Sequence, residues 1–467
     1  SSFRLRGPRL FVWYARRCGM LVSMRKAWII GACIMLAGCS LFGANSGEDV
    51  TPDVGSGGIV RRLELPTPQR FTGIPTRIGF EPVPLEGGEF KAIMDFVFLP
   101  GGKQFLAVNR LGLVGLFSMG NDRAVLLDSF SVPAVYTGGD CGASSITLDP
   151  SFESNKLFYV QYCLDEQYNA IKRYTMSDDD FSETLYSAAN VLATGDPKVD
   201  VPRRAVGSIV FGPDGVLWAN VGDRGKGENA QDLTNELGKV IRLKPLRESN
   251  VSGFTVPERN MPIDTMIGSN PLIFAYGFQY PRSGAFDARG RYWVADVSAS
   301  GVQEINIVTK PGQNFGWPNS EGGMCKTGSC SSNIRPVSAW DRSFDHRFVR
   351  EDPLAKDDSE YRAAWVGIEY QPGKQDRYGG LLTGRMLYGD FYLGFVRGAT
   401  VDAKGVLVDD RGLGHIDLPV AWRQGVDGYV YVATMYSSFD RSRELQGDAN
   451  LVPQASQGGL WRVVPLP

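Results

Sequence analysis

The chain repeats one pattern six times: a turn containing Asp, Pro or Gly, followed by a short stretch of alternating apolar and aromatic residues. Alternation with a period of two predicts half-buried β-strands, and turns of this composition join strands as antiparallel neighbours. The six units lie at residues 99–108, 149–160, 212–218, 287–294, 383–390 and 426–432. Their uneven spacing is typical of a repeat fold with long loops inserted on one face.

Six antiparallel sheets can bury both of their faces when each packs against two neighbours in a ring. Residues 39–467 allow about 71 residues for each unit, enough for four strands of ordinary length and their loops. We therefore predict an all-β fold, a six-bladed β-propeller of four-stranded antiparallel blades, formed by residues 59–467 as one domain. Two separate β-domains are the alternative, but no Pro/Ser-rich linker follows residue 59. A strand near 59–65 is expected to close the ring against 459–464.

The first 58 residues differ in composition from the rest. From Met24 a basic segment leads into the apolar residues 27–36 and then into Leu-Ala-Gly-Cys, which ends at Cys39. This layout is typical of a secretion signal, because so short an apolar run cannot span a bilayer. Leu-Ala-Gly-Cys resembles the bacterial lipobox, which implies cleavage after residue 38 and acylation of Cys39. An uncleaved helical anchor is the alternative.

These features predict the organisation of the N-terminal part. Residues 1–38 are expected to be upstream residues and a signal peptide, and residues 39–58, rich in Gly, Ser and Asp, a flexible tether. Because Ser follows the acylated cysteine, the resemblance implies an exported lipoprotein of the outer membrane, facing the periplasm or the cell surface. Its lipid anchor is expected to be its only contact with the membrane.

The charge of the mature chain excludes one class of function. The whole chain carries 49 Lys and Arg against 51 Asp and Glu, but residues 1–38 contain seven of the basic residues and no acidic one. The mature chain is therefore acidic, with 42 basic and 51 acidic residues. Nucleic-acid-binding proteins present a basic surface, so that class is excluded. The hydrophobic content of 43% is that of a globular protein.

Four cysteines remain once the leader and the lipid site are set aside: Cys141, Cys163, Cys325 and Cys330. An exported protein folds in an oxidising compartment, where disulfides are expected, and four cysteines allow three pairings. We favour Cys141–Cys163, which joins a turn to the end of the next strand, and Cys325–Cys330, which closes a Gly-containing loop. Zinc binding is the alternative, but no Cys-x-x-Cys spacing occurs.

Long stretches rich in Gly, Asp and Trp identify a family. They are residues 96–103 with 108–112, 210–218 with 221–225, 230–243, 275–287 and 304–318. Over residues 79–465 the chain resembles the soluble PQQ-dependent glucose/sorbosone dehydrogenases. The resemblance implies a six-bladed propeller, which agrees with the repeats. It also implies oxidation of the anomeric hydroxyl of a sugar, in which a His takes the proton while hydride passes to PQQ.

The residues that perform this chemistry in the family are replaced here. The expected general base, three positions before Gly207, is Arg204, whose guanidinium stays protonated at neutral pH and accepts no proton. The Gln expected in the turn 139–144 is Asp140. The Arg-Asn pair expected in the family is replaced by Gln279 and Tyr280. The position of a PQQ-facing Lys falls near Tyr392, and that of a calcium-binding Gly-Pro falls near 298–299.

Two functional hypotheses follow. In the first, the propeller keeps only the fold and binds a small-molecule sugar, a glycan or a protein, as a binding module or a degenerate enzyme. In the second, it is an active PQQ-dependent aldose dehydrogenase in which Asp140 replaces the His, and Gln279 and Arg282 contact the cofactor. The cations available for the carboxylates of PQQ are Arg203, Arg204, Arg282 and Arg397. A structural ion pair between Asp140 and Arg204 is the alternative interpretation of those two residues.

One metal site of the family is retained. The resemblance implies that its structural calcium is bound by the Glu of a Glu-Ile-Asn segment and by the carbonyl before Gly-Trp-Pro, here Glu304 and Phe315. Calcium takes several oxygen ligands, of which these are two, and the alternative is that Glu304 only braces the turn 313–317. The two histidines, His346 and His415, lie in no motif of the family and are expected to be surface or core residues.

Overall fold

A computed structural model of the chain describes residues 77–88, 90, 92–195, 203–262, 268–298, 301–327, 330–341, 348, 361–435 and 459–466. All of them belong to one compact unit, Arg61–Pro467. Several predictions concern residues outside these ranges, namely the signal peptide, the lipid site Cys39, the tether, the strand at 59–65 and His346.

The described chain is mostly β-strand, and the strands are numbered in chain order. It begins with β1 (Ile78–Val83) and β2 (Leu85–Glu86). The first blade contains β3 (Ile93–Phe98), β4 (Gln104–Asn109), β5 (Leu113–Met119) and β6 (Ala124–Ser131). The second contains β7 (Ala143–Leu148), β8 (Leu157–Cys163), β9 (Tyr168–Thr175) and β10 (Ala189–Gly195). The third contains β11 (Val206–Phe211), β12 (Leu217–Val221), β13 (Lys239–Pro245), the short β14 (Phe254–Thr255) and β15 (Ile273–Tyr276).

The remaining three blades follow the same plan. The fourth contains β16 (Pro281–Phe286), β17 (Tyr292–Asp296), β18 (Gln303–Val308) and β22 (Ser338–Trp340). Three short strands lie between β18 and β22 in the chain. Of these, β19 (Gln313–Asn314) pairs with β15 of the third blade, and β20 (Ser320–Glu321) pairs with β21 (Met324–Cys325). The fifth contains β23 (Ala364–Glu369), β24 (Met386–Asp390), β25 (Phe395–Val401) and β26 (Leu407–His415). The sixth contains β27 (Pro419–Gln424), β28 (Val430–Thr434), β29 (Gly459–Pro465) and β1.

Helical segments are short. Those that lie wholly within the described ranges are α1 (Phe152–Asn155) and two 3₁₀ segments, Phe181–Ser187 and Gly227–Ala230. In the part of the chain that the structure describes, no helix combines the length and the apolar character needed to cross a membrane.

The six sheets form a closed ring. The first strand of each blade is innermost, and these strands pack in the order β3, β7, β11, β16, β23 and β27, with β27 returning to β3. The predicted six-bladed propeller of mainly antiparallel, four-stranded blades is therefore confirmed. The six units recognised in the sequence are, in order, the first hairpin turn of each blade and the second strand that follows it.

The sixth blade closes the ring by pairing the two ends of the described chain. β29 lies between β28 and β1, in a register that places Ile78 opposite Pro465 and Val83 opposite Leu460. The predicted pairing of 459–464 with 59–65 is wrong, because β1 already occupies that edge of β29. The backbone N–H and C=O groups of β29 are thus bonded on both sides.

The apolar core lies between the blades. Six clusters of buried hydrophobic side chains each draw on two neighbouring blades, so both faces of every sheet are covered. Between the fifth and sixth blades, for example, the rings of Trp365 and Trp422 stack with their centroids 4.8 Å apart. This two-sided burial explains strands such as β12, which is buried along its whole length.

Both favoured disulfides are present. The Cα atoms of Cys141 and Cys163 are 5.5 Å apart, and those of Cys325 and Cys330 are 5.7 Å apart. The predicted pairing is confirmed. The zinc alternative is wrong, because the four sulfur atoms form two disulfide bonds and no thiolate remains to bind a metal ion.

Candidate functional site

A cavity of about 430 Å³ lies at one end of the ring. It is found where the inner strands begin and the second strands end, and all six blades contribute to its wall. Its volume falls within the range of small-molecule sites, about 300–1,000 Å³. Loops at the end of a rigid scaffold are where binding residues concentrate, so this cavity is the candidate functional site.

The wall has two chemically different parts. The first part, which we call the cationic arc, comes from the first four blades and consists of Arg110, Asp140, Arg204 and Arg282. The second part, which we call the aromatic arc, comes from the fifth blade and consists of Tyr361, Trp365, Phe391 and Tyr392. Arg362, within the same segment as Tyr361, adds a fourth guanidinium to the wall.

Asp140 lies in a loop that is fixed at several points. Its neighbour Cys141 is joined to Cys163, and the guanidinium of Arg110 donates to two carbonyls of the loop at 2.8 and 2.7 Å. Gly139 adopts a φ of 57°, which a residue without a Cβ accepts at no steric cost. The Asp140 side chain is exposed at the cavity wall, so its carboxylate can contact a ligand.

Arg204, at the position where the resemblance predicts the general base, is held in place by its contacts. Its backbone has a φ of 49°, and its backbone N–H donates to Asp140 Oδ2 at 3.1 Å. Its Nε lies 2.8 Å from Asp223 Oδ1, so the two side chains form an ion pair. The Nε–H bond does not point at the carboxylate, so this contact is not a hydrogen bond. The proposed ion pair between the side chains of Asp140 and Arg204 is therefore wrong, because the guanidinium pairs with Asp223.

Asp223 is a site residue that sequence reasoning missed, although it lies within the family segment 221–225. Its side chain is fully buried and accepts from Trp317 Nε1 at 2.9 Å and from Gly225 N at 2.8 Å. Burial raises the pKa of Asp223 above its ordinary value, although the charge of Arg204 acts in the opposite direction. The only available signal was an acidic residue in a Gly-rich turn, which many surface turns share.

Arg282 differs from Arg204 in forming no ion pair with any described residue. It is partly buried in β16, and within the described residues its guanidinium makes no hydrogen bond or ion pair. Nearby, the buried Tyr280 donates its hydroxyl to Val206 O at 3.0 Å, which links the fourth blade to the third. Burial raises the pKa of Tyr280 to about 12, so this hydroxyl stays protonated at neutral pH.

Gln279, predicted to contact the cofactor, is not part of this wall. It is 3% exposed and lines a separate, small cavity of about 10 Å³ beside Asp296 and Glu304. The backbone N–H groups of Gln279 and Tyr280 donate to the Asp296 carboxylate at 2.9 and 2.6 Å, which holds this segment in place. The structure thus brings the other three predicted catalytic and cofactor-binding residues together and leaves Gln279 apart.

The predicted calcium ligands, Glu304 and Phe315, are both buried. Glu304 Oε1 accepts from Gly322 N at 2.5 Å and Oε2 accepts from Asn306 Nδ2 at 3.0 Å, and burial raises the pKa of Glu304 to about 7. Across the described ranges, no group of three or more His, Cys, Asp or Glu side chains is placed to hold a metal ion. The contacts of Glu304 bring no further oxygen ligand to the two proposed ones, and calcium at Glu304 stays a prediction.

Three other candidates lie outside the cavity wall. Arg397 is buried in the fifth blade, with Nε 3.0 Å from Asp410 Oδ1. His415 lies at the end of β26 with Nε2 3.1 Å from Asp417 Oδ1, and Arg203 is exposed. The arginines that do line the cavity are Arg110, Arg204, Arg282 and Arg362.

One buried carboxylate organises the aromatic arc. Asp390, the last residue of β24, accepts from the backbone N–H groups of Ala363, Tyr392 and Leu393 at 3.2, 2.9 and 2.9 Å, and from the indole of Trp340 at 2.7 Å. These contacts hold both segments that carry the aromatic arc, 361–365 and 391–392. Burial raises the pKa of Asp390 to about 6.

The rings of the aromatic arc pack on one another at the cavity. The centroids of Tyr361 and Tyr392 are 5.5 Å apart, and those of Phe391 and Tyr392 are 4.9 Å apart. Tyr361 is 45% exposed, so its ring can contact a ligand. The cavity as a whole can therefore bind a ligand that has an apolar ring face together with an anionic group, and it offers one exposed carboxylate, that of Asp140.

Residues 90–345 match the sequence profile of the family described as Glucose / Sorbosone dehydrogenase. The chain is 25% identical over 354 residues to the aldose sugar dehydrogenase YliI of Escherichia coli K12, covering 73% of this chain and 86% of that protein. It is 24% identical over 234 residues to quinoprotein glucose dehydrogenase B of Acinetobacter calcoaceticus, covering 44% of this chain and 46% of that protein.

Two solved structures have the same fold. The apo-form of the soluble aldose sugar dehydrogenase of E. coli matches with a TM-score of 0.61 at 21% identity, over 83% of this chain and 100% of that one. The PQQ-bound aldose sugar dehydrogenase of Streptomyces coelicolor matches with a TM-score of 0.59 at 20% identity, over 84% and 99%. Since the profile match covers more than half of the sequence, the chain belongs to the glucose/sorbosone dehydrogenase family.

Proposed function

We propose that the chain is a sugar-binding member of this family whose cavity has lost the proton transfer of the dehydrogenases. The observation that carries this proposal is the ion pair of Arg204 with the buried Asp223, at the position where relatives keep their base. A guanidinium stays protonated up to about pH 12 and cannot accept the proton of a sugar hydroxyl. General-base catalysis contributes about 10²–10⁴-fold, so this replacement removes a large part of the rate.

The two arcs would share the binding of the sugar. The rings of Tyr361 and Tyr392 would contact the apolar face of the sugar ring, as amphipathic aromatic side chains commonly do at binding surfaces. The Asp140 carboxylate would accept hydrogen bonds from the sugar hydroxyls. The guanidinium groups would donate to its oxygen atoms.

Calorimetric titration with a panel of aldoses tests the binding, and dye reduction with added PQQ and calcium tests the chemistry. We expect heat of binding for at least one sugar, no dye reduction, and weaker binding by Asp140→Ala, whose melting temperature reports separately on the lost hydrogen bond from Arg204 N. Sugar-dependent dye reduction would overturn the proposed loss of proton transfer. Absence of binding to every sugar of the panel would overturn the sugar site.

A second candidate is an active PQQ-dependent aldose dehydrogenase, which the exposed carboxylate of Asp140 at the cavity wall favours. The residues fit the chemistry of the cofactor: Arg110, Arg204 and Arg282 would hold its carboxylates, and the aromatic arc would face its rings. When bound, PQQ supplies an acceptor for the two electrons of sugar oxidation. Asp140 would accept the proton of the anomeric hydroxyl.

Asp140→Asn distinguishes this candidate from the first, because the amide keeps the shape of the side chain but takes up no proton. Stoichiometric PQQ in the purified protein, with turnover abolished by Asp140→Asn, would establish the dehydrogenase. Turnover unchanged in the variant would exclude Asp140 as the base.

We also propose that the chain is an exported lipoprotein of the outer membrane, anchored through Cys39. The Leu-Ala-Gly-Cys sequence supports this proposal. Cys39→Ser is expected to move the protein from the membrane fraction to the soluble fraction, and retention in the membrane would contradict the anchor.

We further propose that Glu304 and the carbonyl of Phe315 bind a structural calcium, which the family resemblance supports. We expect EGTA to lower the melting temperature if the ion is bound there. An unchanged melt would count against the site and would favour a bracing role for Glu304.

A further inference from the structure

One guanidinium group of the cavity, that of Arg282, forms no ion pair with a described residue. Four guanidinium groups line the cavity, those of Arg110, Arg204, Arg282 and Arg362, and Asp140 is the one carboxylate among the described lining residues. Asp223 neutralises Arg204. A neutral sugar would leave the charge of Arg282 uncompensated, whereas an anionic ligand would compensate it.

Arg282 is the guanidinium best placed to meet a ligand anion. Arg110 donates to loop carbonyls, Arg204 pairs with Asp223, and Arg362 Nη1 donates to Tyr361 O. Arg282 has no such contact in the described part of the chain, although it is partly buried. A partly buried charge without a partner is costly, and a carboxylate would satisfy it with two parallel hydrogen bonds.

The rest of the wall restricts the anion to a cyclic sugar with one acidic group. Tyr361 and Tyr392, on the blade next to Arg282, line the cavity with aromatic rings, which are suited to contact a pyranose. Asp140 would repel a second carboxylate in its vicinity but would accept hydroxyl groups. An open-chain acid would satisfy Arg282 without using the aromatic arc.

We propose that the cavity takes a hexuronic acid, free or at the end of a glycan, and that Arg282 binds its carboxylate. This inference rests on the proposed sugar-binding function and adds the chemical class of the sugar. It makes Arg282 the residue that determines specificity for the acid.

The test is calorimetric titration of the purified protein with glucuronate, its uncharged amide, glucose and acetate. Glucuronate is expected to bind about tenfold or more tightly than the amide and glucose, because a charge-assisted hydrogen bond is stronger than a neutral one. Acetate should bind weakly, since it lacks the ring. Added salt should weaken the binding of glucuronate more than that of glucose.

Variants of Arg282 assign the effect to this residue. Arg282→Gln is expected to abolish the preference for glucuronate over glucose, measured as the ratio of the two affinities. Arg282→Lys keeps the charge without the planar fork and should give an intermediate affinity. Arg289→Gln, an exposed position in the same blade with the same change of charge, is the matched control and should alter neither affinity.

The outcomes separate this inference from the function on which it rests. Equal affinities for glucuronate and glucose, or an Arg282→Gln variant that keeps the preference, would overturn the inference and leave the sugar site standing. No binding of any sugar would overturn both. PQQ, tested as an additional probe, would reassign Arg282 to the cofactor and overturn the inference if it bound and supported sugar-dependent dye reduction that Arg282→Gln weakened.

Discussion

The cationic arc and the aromatic arc face the same cavity, but different interactions hold them. In the cationic arc, the Cys141–Cys163 disulfide adjoins Asp140, and Asp223 pairs with Arg204. In the aromatic arc, the side chains pack on one another, and the backbone of both segments is bonded to Asp390. Apart from Arg282, the first arc is therefore fixed through its side chains and covalent bonds, and the second mainly through its backbone.

The difference follows from the chemistry of the side chains. A charge near the protein interior is stable only in a defined geometry with its partners, and losing one partner leaves a costly group behind. An aromatic ring gains free energy from contact over a broad range of positions. The cationic arc should therefore be rigid and sensitive to substitution, and the aromatic arc more tolerant.

Removal of the disulfide should break the cationic arc. The two cysteines are 22 residues apart, so loop-closure entropy predicts that Cys141→Ser/Cys163→Ser lowers the free energy of unfolding by about 3 kcal/mol. Urea denaturation measures this loss, and ligand titration should show weaker binding because the Asp140 loop is released. Cys325→Ser/Cys330→Ser is the control, with a shorter loop, a smaller loss and unchanged binding. A larger loss in the control pair would contradict this account.

The pH dependence of stability should reveal Asp390 beneath the aromatic arc. Its pKa of about 6 in the folded state exceeds the value of about 3.9 for an unfolded Asp, so folding favours the protonated carboxyl. The contribution of the Asp390 carboxyl to the free energy of unfolding is therefore complete below about pH 4. It is lost as the pH rises from about 4 through 6, and it does not change further above that range. A shift of this size corresponds to a change on the order of 2–3 kcal/mol.

Asp390→Asn isolates this titration, because the amide has no proton to release in this range. The difference in unfolding free energy between wild type and variant should change between about pH 4 and 6, the span set by the two pKa values, and stay constant above about pH 6.5. A difference that stays constant between pH 4 and 6 would show that Asp390 keeps its ordinary pKa.

Asp223→Asn should test the ion pair of the cationic arc. The variant leaves the guanidinium of Arg204 without its counter-charge, and we expect a loss of about 2 kcal/mol in the free energy of unfolding. Asp122→Asn removes an exposed partner of Arg123, 3.3 Å away, and should lower the free energy of unfolding far less, because water and salt screen an exposed pair. Equal losses in thermal or urea denaturation would mean that burial does not strengthen the Arg204 pair.

Tyr361→Ala should have the smallest effect on stability and should act mainly on binding. The side chain is 45% exposed, so its removal should change the free energy of unfolding by about 0.5 kcal/mol or less. Sugar affinity should fall about three- to tenfold, as expected for the loss of one aromatic contact. Unchanged affinity in calorimetric titration would show that the aromatic arc takes no part in sugar binding.

Much of the fold was predictable because its signals are local. One turn and one alternating strand predict each blade, and these six turn-and-strand units are found in the structure in the same order. Closure of the ring was mispredicted, because several apolar segments could pair with β29 and only the packed ring selects β1. The disulfides were predictable because few pairings of four cysteines are possible.

The site was predictable only in part. Asp140 and Arg204 were identified from aligned motifs, and they lie together at the cavity wall. Gln279 was also placed there, but Asp296 binds the backbone N–H groups of this segment, and the Gln279 side chain lines another cavity. Asp390 escaped prediction because its partners come from three separate segments of the chain.

By itself, the sequence determined the number of blades and predicted that Arg204 replaces the family's base, because both depend on residues close together in the chain. Only the tertiary structure decided that the Arg204 guanidinium pairs with Asp223, that Arg282 lacks a counter-charge in the described residues, and that four guanidinium groups share one cavity. The physical reason is that loop side chains take their positions from contacts between different blades, which form only once the ring has closed.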